Sequence, residues 1–538
     1  MKKKIIIPIL AVAILVVSSG FRNEFFEIAK QLEIFTTMFK ELNMNYVDET
    51  NPAELMDTAI KSMLKELDPY TQFMNEQDVE GFKISTAGEY SGIGAVVRNF
   101  EGKLVVIEPY KGYPADKAGL KAGDEIIRIG NTNVSDLKDD ATELLKGLNN
   151  SEITIAYNRQ GDVKTTIVSR EEIEIDAVPY YNMIDAETGY IVLSKFNNKA
   201  SKQTKDALEE LKLKGAKKIV LDLRNNPGGL LTEAIDVCNL FIPKNQLIVS
   251  TKSKVKKFNK EYHTKRKAVD TEIPLVVLIN GRSASASEIV SGALQDLDRA
   301  VVIGAKSFGK GLVQRPVKLN YGTQLKVTIS RYYTPSGRCI QSMDYWNRDE
   351  EGKAVANKKF NEFQTRNGRK VYDGGGITPD IAVDHLKDNG LTAALLENQV
   401  IFDYATDYFY NHPVDNISNF NFTDTDYQDF KSFVKAHGFT YETNTERALK
   451  DIMKSEEVNE FGPQIKADYQ KLLDDIHNVK LGSLDQYKQS IQKNIEDELI
   501  VRYFYRDGLY DYYLKNDQAI TKATTLLKDA TKYQQILN

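Results

Sequence analysis

Apolar residues recur at helical spacing near the start of the chain. Phe25, Phe26, Ile28, Ala29, Leu32, Ile34 and Phe35 predict one amphipathic helix and Ala53 to Leu67 a second, with a turn-like Tyr46 to Pro52 between them. From about Gly88 the period becomes that of strands: Tyr90 to Val97, Leu104 to Pro109, Glu152 to Asn158 and Val163 to Val168, with a helix near Asp139 to Leu148. Residues 188 to 334 alternate. Gly189 to Ser194, Lys218 to Leu223, Pro274 to Ile279 and Ala300 to Ile303 read as buried strands, and Ser201 to Leu213, Leu231 to Phe241 and Ser287 to Leu297 as the helices between them; Leu325 to Tyr333 is a later alternating strand. That order predicts a largely parallel sheet with helical cover. Beyond about His385 the pattern is helical and aromatic, and clusters such as Tyr404, Tyr408 and Phe409 read as helix core. The expected class is multidomain α/β, divided into an export signal or N-terminal anchor (1–22), a helical segment (23–85), a β-rich unit (86–170), an α/β core (171–384) and a C-terminal helical domain (385–538).

Composition adds exclusions. With 538 residues the chain is too long for one core, and a net charge of −5 leaves no nucleic-acid footprint. Lys2, Lys3 and Lys4 precede an apolar run from Ile5 to Val17 followed by Ser18, Ser19 and Gly20, the build of an export signal. The run is shorter than the ~20 apolar residues of a comfortable span, and an uncleaved anchor is the alternative. The expected location is therefore outside the cytoplasm, in a periplasm or anchored at the membrane. Two cysteines, Cys238 and Cys339, specify no disulfide framework, and Cys238 reads as a buried small hydrophobe. No HExxH or CxxC pattern occurs, so neither metal nor cofactor is expected.

Candidate chemistry sits at strand-to-helix junctions. In Leu278 to Val290 a buried strand ends, small residues turn, and a helix begins; its free N–H groups suit a developing oxyanion. Ser285-Ala-Ser-Glu288 is also a capping-box pattern, so Ser285 reads either as a nucleophile or as an N-cap. A serine nucleophile needs a base, and none of the five histidines sits in a catalytic context. Lys310, between Gly309 and Gly311, is a candidate base if burial lowers its basicity. The same stretch, Gly304 to Gly311, matches a nucleotide-binding Walker loop except at its last position, where glycine replaces the magnesium-binding hydroxyl, and Pro316 breaks the helix such a loop needs after it. A second junction, Leu221 to Leu230, carries Gly228 and Gly229, whose backbone could approach a substrate oxygen closely.

These three segments resemble the carboxy-terminal processing, or tail-specific, protease family. Leu221 to Leu230 looks like the family's oxyanion loop, Ser283 to Ile289 like its nucleophile segment and Phe308 to Gly311 like its lysine segment; Tyr332 to Arg338 and Gly376 to Asp380 are similar as well. The resemblance implies Ser285 as nucleophile, Lys310 as general base, Gln314 orienting the lysine, and an oxyanion hole from the N–H groups of Gly228 or Gly229 and of Ala286. The β-rich unit resembles a PDZ domain, with Gly92, Ile93, Gly94 and Ala95 where such domains bind a terminal carboxylate. Pro114 to Leu120 and Ala122 to Ile126 are similar to PDZ turns of exported proteases. The resemblance thus implies an exported serine endopeptidase that recognises substrate C-terminal tails. Self-association through N- or C-terminal helices is a separate expectation, which the resemblance does not supply. The rivals of the endopeptidase reading are an inactive tail-binding scaffold and a nucleotide-binding protein using Gly304 to Lys310.

Overall fold

The computed structural model describes residues 25–100, 102–137, 141–357, 360–383, 390–455 and 462–538. The expected export signal lies outside these residues, as do Asp139 and His385. Among the described residues no helix is long and apolar enough to cross a membrane. The chain divides into two compact units.

The first unit comprises residues up to Asn75 together with Gln314–Thr328. Both predicted helices form, over 25–45 and Pro52–Lys65, the second with Asn51 accepting from the N–H groups of Ala53 and Glu54. A strand, Gln72–Met74, pairs antiparallel with Gln324, Leu325 and Lys326. Asp68 braces the corner, accepting from the N–H groups of Tyr70 and Thr71 at 2.8 Å and from Thr328 Oγ1 at 3.2 Å. Along helix 25–45 the apolar side chains stay in solvent: Phe25 is 70% exposed, Leu32 60% and Met38 53%.

The second unit holds Glu76–Val313 and Ile329–Asn538. Its centre is a six-stranded sheet in the order Tyr180–Met183, Thr188–Val192, Lys218–Asp222, Leu275–Ile279, Val301–Gly304, Ile381–Ala382, with only the first strand antiparallel. Leu275–Ile279 is buried along its whole length, as continuous apolar runs in parallel sheets require. One face packs on Ala200–Leu213, Leu231–Phe241 and Ala286–Asp296 through Leu208, Leu211, Val237, Cys238, Val290 and Leu294. The other face is covered from the far end of the chain. Ile520, Ala523, Leu526 and Leu527 of Gln518–Lys528, with Tyr533 of Ala530–Leu537, close over Tyr190, Val220, Val276, Leu278 and Ile303. Residues 518–537, expected within a C-terminal helical domain, thus form a layer of the core. The physical reason is that both faces of a parallel sheet must be covered, and the connections between strands cover only one.

The β-rich unit is an antiparallel sheet in the order Ala95–Phe100, Lys103–Pro109, Glu125–Ile129, Glu152–Arg159, Asp162–Ser169, with Ala95–Phe100 at its edge and Leu104, Val106, Ile126, Ile155 and Val168 in its core. The helix expected near Asp139–Leu148 is a short 3₁₀ stretch, Ala141–Leu145. A pair of strands, Glu89–Gly92 and Glu171–Glu174, closes this unit's base. Among the described residues between 390 and 516 the chain is mostly helical, and Tyr404, Tyr427, Phe430 and Leu499 share a buried cluster, as aromatics at helical spacing should.

Candidate active site

The strand Leu275–Ile279 runs into a tight turn, and Ala286–Asp296 leaves it as a helix. Ser285 sits at that junction with φ 55° and ψ −110°, a left-handed backbone that a non-glycine residue adopts only when its surroundings impose it. The surroundings do. Ser283 Oγ donates to Leu223 O at 2.8 Å and accepts from Asn280 N–H at 2.9 Å. Ser287 Oγ donates to Asn226 O at 2.9 Å, and Ala284 N–H donates to the same oxygen at 3.0 Å. Ser283 and Ser287 are fully buried and tied to the neighbouring loop, whereas Ser285 is half-buried. Of the three serines, Ser285 is the least buried.

Glu288, at the third helical position, holds the turn. Its carboxylate is fully buried and accepts four hydrogen bonds: from Ser285 N–H (2.7 Å) and Lys310 N–H (2.9 Å) on Oε2, and from Ser307 Oγ and Gly309 N–H (both 2.6 Å) on Oε1. Burial pushes this carboxyl up to about 7 against the pull of its four donors. The glutamate half of the capping box is therefore made, but Glu288 N–H donates to Ser285 O (2.9 Å), so backbone closes this first turn. Glu288 also serves a second segment, since the serine and lysine N–H groups share one of its oxygens. Sequence spacing identified Glu288 as a cap; its reach to Gly309 and Lys310 had no local signal.

The glycine loop lies against this turn. Gly228 has φ 100°, and a Cβ there would stand 2.9 Å from Ser285 Cβ and from Ala286 N, so no larger residue fits. Gly228 N–H donates to Asn226 Oδ1 at 2.8 Å. Among the described residues, neither Gly229 N–H nor Ala286 N–H has a protein acceptor. At the base of the loop, Arg224 is half-buried between two carboxylates, donating to Asp222 at 2.6–3.0 Å and to Asp517 Oδ2 at 2.8 Å.

Lys310 follows the strand Val301–Gly304 on an extended segment leading directly into Leu312–Lys318. The nucleotide-binding alternative is corrected here. No helix follows the loop, and its N–H groups at Gly309, Lys310 and Gly311 donate to Glu288 and Gln341, not outward to a phosphate. Gln314 falls in the first unit, where its amide donates to Thr328 Oγ1 at 3.2 Å. In the β-rich unit, Ile93 O accepts from Ala115 N–H and Gly94 O from Tyr110 N–H, both at 2.8 Å, and Ala95 opens the edge strand opposite Pro109. Among the described residues no cluster could hold a metal ion.

Three family models match the chain: "Peptidase family S41" over 187–345, "PDZ domain" over 91–169, and "Probable PDZ-protease, C-terminal helical domain" over 391–527. The last extends the likeness into a region where the sequence suggested only helices. A carboxy-terminal-processing protease of Bartonella bacilliformis is 38% identical over 327 residues, covering 58% of this chain and 73% of that protein. A "Probable CtpA-like serine protease" of Staphylococcus aureus is 36% identical over 307 residues, 56% of this chain and 61% of its own length, so the chain spans about three-fifths of that relative. The solved photosystem II D1 C-terminal processing protease aligns over 65% of this chain and 86% of its own at 27% identity, with a TM-score of 0.37 that carries no argument by itself.

Proposed function

The chain belongs to peptidase family S41, the family of the carboxy-terminal-processing proteases, and we propose from this that it is an exported serine endopeptidase working through a Ser285–Lys310 dyad. One observation carries the reading: the N–H groups of Ser285 and Lys310 donate to the same oxygen of buried Glu288, so two segments joined by no local pattern meet at one point. Neutral Lys310 takes the proton from the Ser285 hydroxyl, and Oγ attacks the scissile carbonyl. The N–H groups of Ala286 and Gly229 receive the oxyanion. Gly228 contributes its missing side chain, because its own N–H is engaged by Asn226. Protonated Lys310 then gives its proton to the leaving amine, and water releases the acyl group. Gln314 keeps its place as the residue orienting the lysine on the family resemblance. The chemistry as written uses no metal or cofactor.

Substrates are proteins with free C-terminal tails. The tail carboxylate docks on Gly92 to Ala95, and the tail extends the sheet beside Ala95–Phe100, whose outer edge is unpaired in its own sheet. The basic and apolar start of the chain supports export, and the solvent-exposed apolar side chains of helix 25–45 support self-association.

The test is degradation of an unfolded protein bearing an apolar C-terminal tail by wild type, Ser285→Ala and Lys310→Ala. Loss in both variants at unchanged melting temperature, with wild type indifferent to EDTA, is the expected result. Full activity in either variant would overturn the dyad. Tail binding by a wild type that cuts nothing would mark an inactive scaffold.

A further inference from the structure

The chain's small negative charge hides one strongly basic stretch. Eight of the sixteen residues from Lys252 to Lys267 are lysine or arginine, and Glu261 is the one acid among them. All eight cations are exposed. Among the described residues only Arg266 of the eight reaches a carboxylate, Asp236 at 3.7 Å, and the ion-pair contact of Glu261 is His263, at 3.9 Å. Lysines on the surface helix Ala200–Leu213 and its end behave differently: Lys202, Lys205, Lys212 and Lys214 each meet an Asp or Glu. Opposite Lys252 in the next strand stands Arg331, also exposed, and no carboxylate among the described residues comes within ion-pair distance of either. Like charges set directly opposite cost a sheet stability, so packing does not account for this arrangement.

The backbone under these charges is held in place. Leu247–Lys252 and Lys260–His263 form an antiparallel hairpin that turns through the 3₁₀ stretch Lys256–Phe258. Buried Thr251 Oγ1 donates to Phe258 O, and Ser253 N–H donates to Asn259 Oδ1, both at 2.6 Å, so the tip has a fixed shape. Where the hairpin returns, buried Asn239 of Leu231–Phe241 grips the chain. Its Oδ1 accepts from the N–H groups of Lys265 and Arg266 at 3.1 and 2.7 Å, and its Nδ2 donates to Arg266 O at 2.8 Å. At the tip two apolar side chains stand among the lysines: Val255, 39% exposed, and Phe258, half-buried, with Lys257 Nζ 5.1 Å from its ring centroid.

We propose that the hairpin from Lys252 to Lys267 docks the protein on an anionic phospholipid membrane. The proposal rests on neither the dyad nor the tail groove. Lipid phosphates take the unpaired ammonium groups, and Val255 enters the headgroup boundary between them. The apolar tip favours a bilayer over a nucleic acid or another soluble polyanion. So does the apolar run from Ile5 to Val17, which brings the chain to a membrane whether it serves as export signal or as anchor. Eight cations less Glu261 leave the hairpin at +7 against −5 for the whole chain, so the remainder carries −12. A negatively charged bilayer therefore selects this face, and docking fixes which side of the protease core lies on it.

The experiment exploits the single tryptophan, Trp346. Trp346→Phe combined with Val255→Trp, in the full chain, puts the sole indole at the hairpin tip. The probe is vesicles with brominated acyl chains, about one quarter phosphatidylglycerol in phosphatidylcholine. Bromine quenches only an indole that reaches the bilayer, so the signal reports the tip even where the start of the chain inserts by itself. Quenching by the anionic vesicles is expected, and about 1 M salt, where the Debye length is about 3 Å, should abolish it. Adding Lys254→Gln, Lys256→Gln and Lys257→Gln should weaken the lipid titration at least tenfold at unchanged melting temperature, each cation at such a surface being worth about fivefold. Absent quenching, equal quenching by pure phosphatidylcholine, or a titration indifferent to salt and to the three substitutions would overturn the inference. A tip that responds to heparin and not to vesicles would overturn it too, in favour of a soluble polyanion.

Discussion

Two helices read from the sequence, Ala286–Asp296 and 25–45, both carry apolar and polar residues, and the structure treats them oppositely. Every residue of Ala286–Asp296 is buried, polar Ser287, Glu288, Ser291, Gln295 and Asp296 included. Along 25–45 no residue is buried, and Phe25, Phe26, Leu32 and Met38 face solvent. Periodicity states that a helix has two faces; it does not state what meets them. In Ala286–Asp296 the polar residues survive burial because each has a partner: Asp296 pairs with Arg338 at 2.7 Å, Gln295 accepts from the same guanidinium at 2.7 Å, and Glu288 collects four donors. In 25–45 the apolar side chains of the described residues make an exposed surface of the kind that association covers.

Substitutions in the two helices test that contrast directly. The largest effect is expected from Glu288→Ala, which strands four buried or half-buried donors. Unfolding free energy should fall by about 3–5 kcal/mol and peptidase activity on the order of 100-fold or more, read by urea melts and by peptide hydrolysis. An active, stable Glu288→Ala protein would mean that the serine and lysine segments hold their places without it. Next is Leu294→Ala, a fully buried truncation, with a cost of about 2–5 kcal/mol.

The third expectation concerns pH. The folded Glu288 carboxyl titrates near 7, above its ordinary 4.5, so between these values the folded state binds more protons than the unfolded. The contribution of this group to stability is therefore fully present below about pH 4.5, declines as pH rises, and levels off above about 7. The wild type should lose up to about 3 kcal/mol relative to Glu288→Gln across that window. Parallel urea midpoints for the two proteins from pH 5 to 8 would show that the four donors outweigh burial. The smallest effect should come from Leu32→Ser in the exposed helix: under about 0.5 kcal/mol on unfolding, with any change confined to the sedimentation coefficient. A loss of several kcal/mol there would show that the helix packs in solution.

Much of the core was legible in the chain. The parallel strands announce themselves because burial on both faces demands unbroken apolar runs such as Leu275 to Ile279. The Ser285 turn was legible because small residues must stand where a strand gives way to a helix, and Gly228 because a close backbone approach admits no side chain. The expected helix near Leu148 shrank to one 3₁₀ stretch, since its apolar residues number few and pack against a small sheet. The choice of Ser285 over Ser283 and Ser287 came from the family resemblance, and the difference in burial among the three was not legible. It depends on Leu223 and Asn226 accepting from the two outer hydroxyls, contacts about 60 residues apart in the chain. The pairing of Arg224 with Asp517 spans 293 residues and has no local trace at all.

Local chemistry along the chain was enough to set where backbone must turn, where strands are apolar throughout, which residues cap, and which chemistry-bearing side chains stand at the junctions. These follow from sterics and from periods of two and 3.6, which act over a few residues. The folded arrangement alone settled that the final helices cover the second face of the sheet, that one glutamate serves both the serine and lysine segments, and that an arginine in the glycine loop is held from residue 517. Those outcomes rest on burial and on charge pairing between distant segments, and such pairs have energy only once the fold has brought them out of water together.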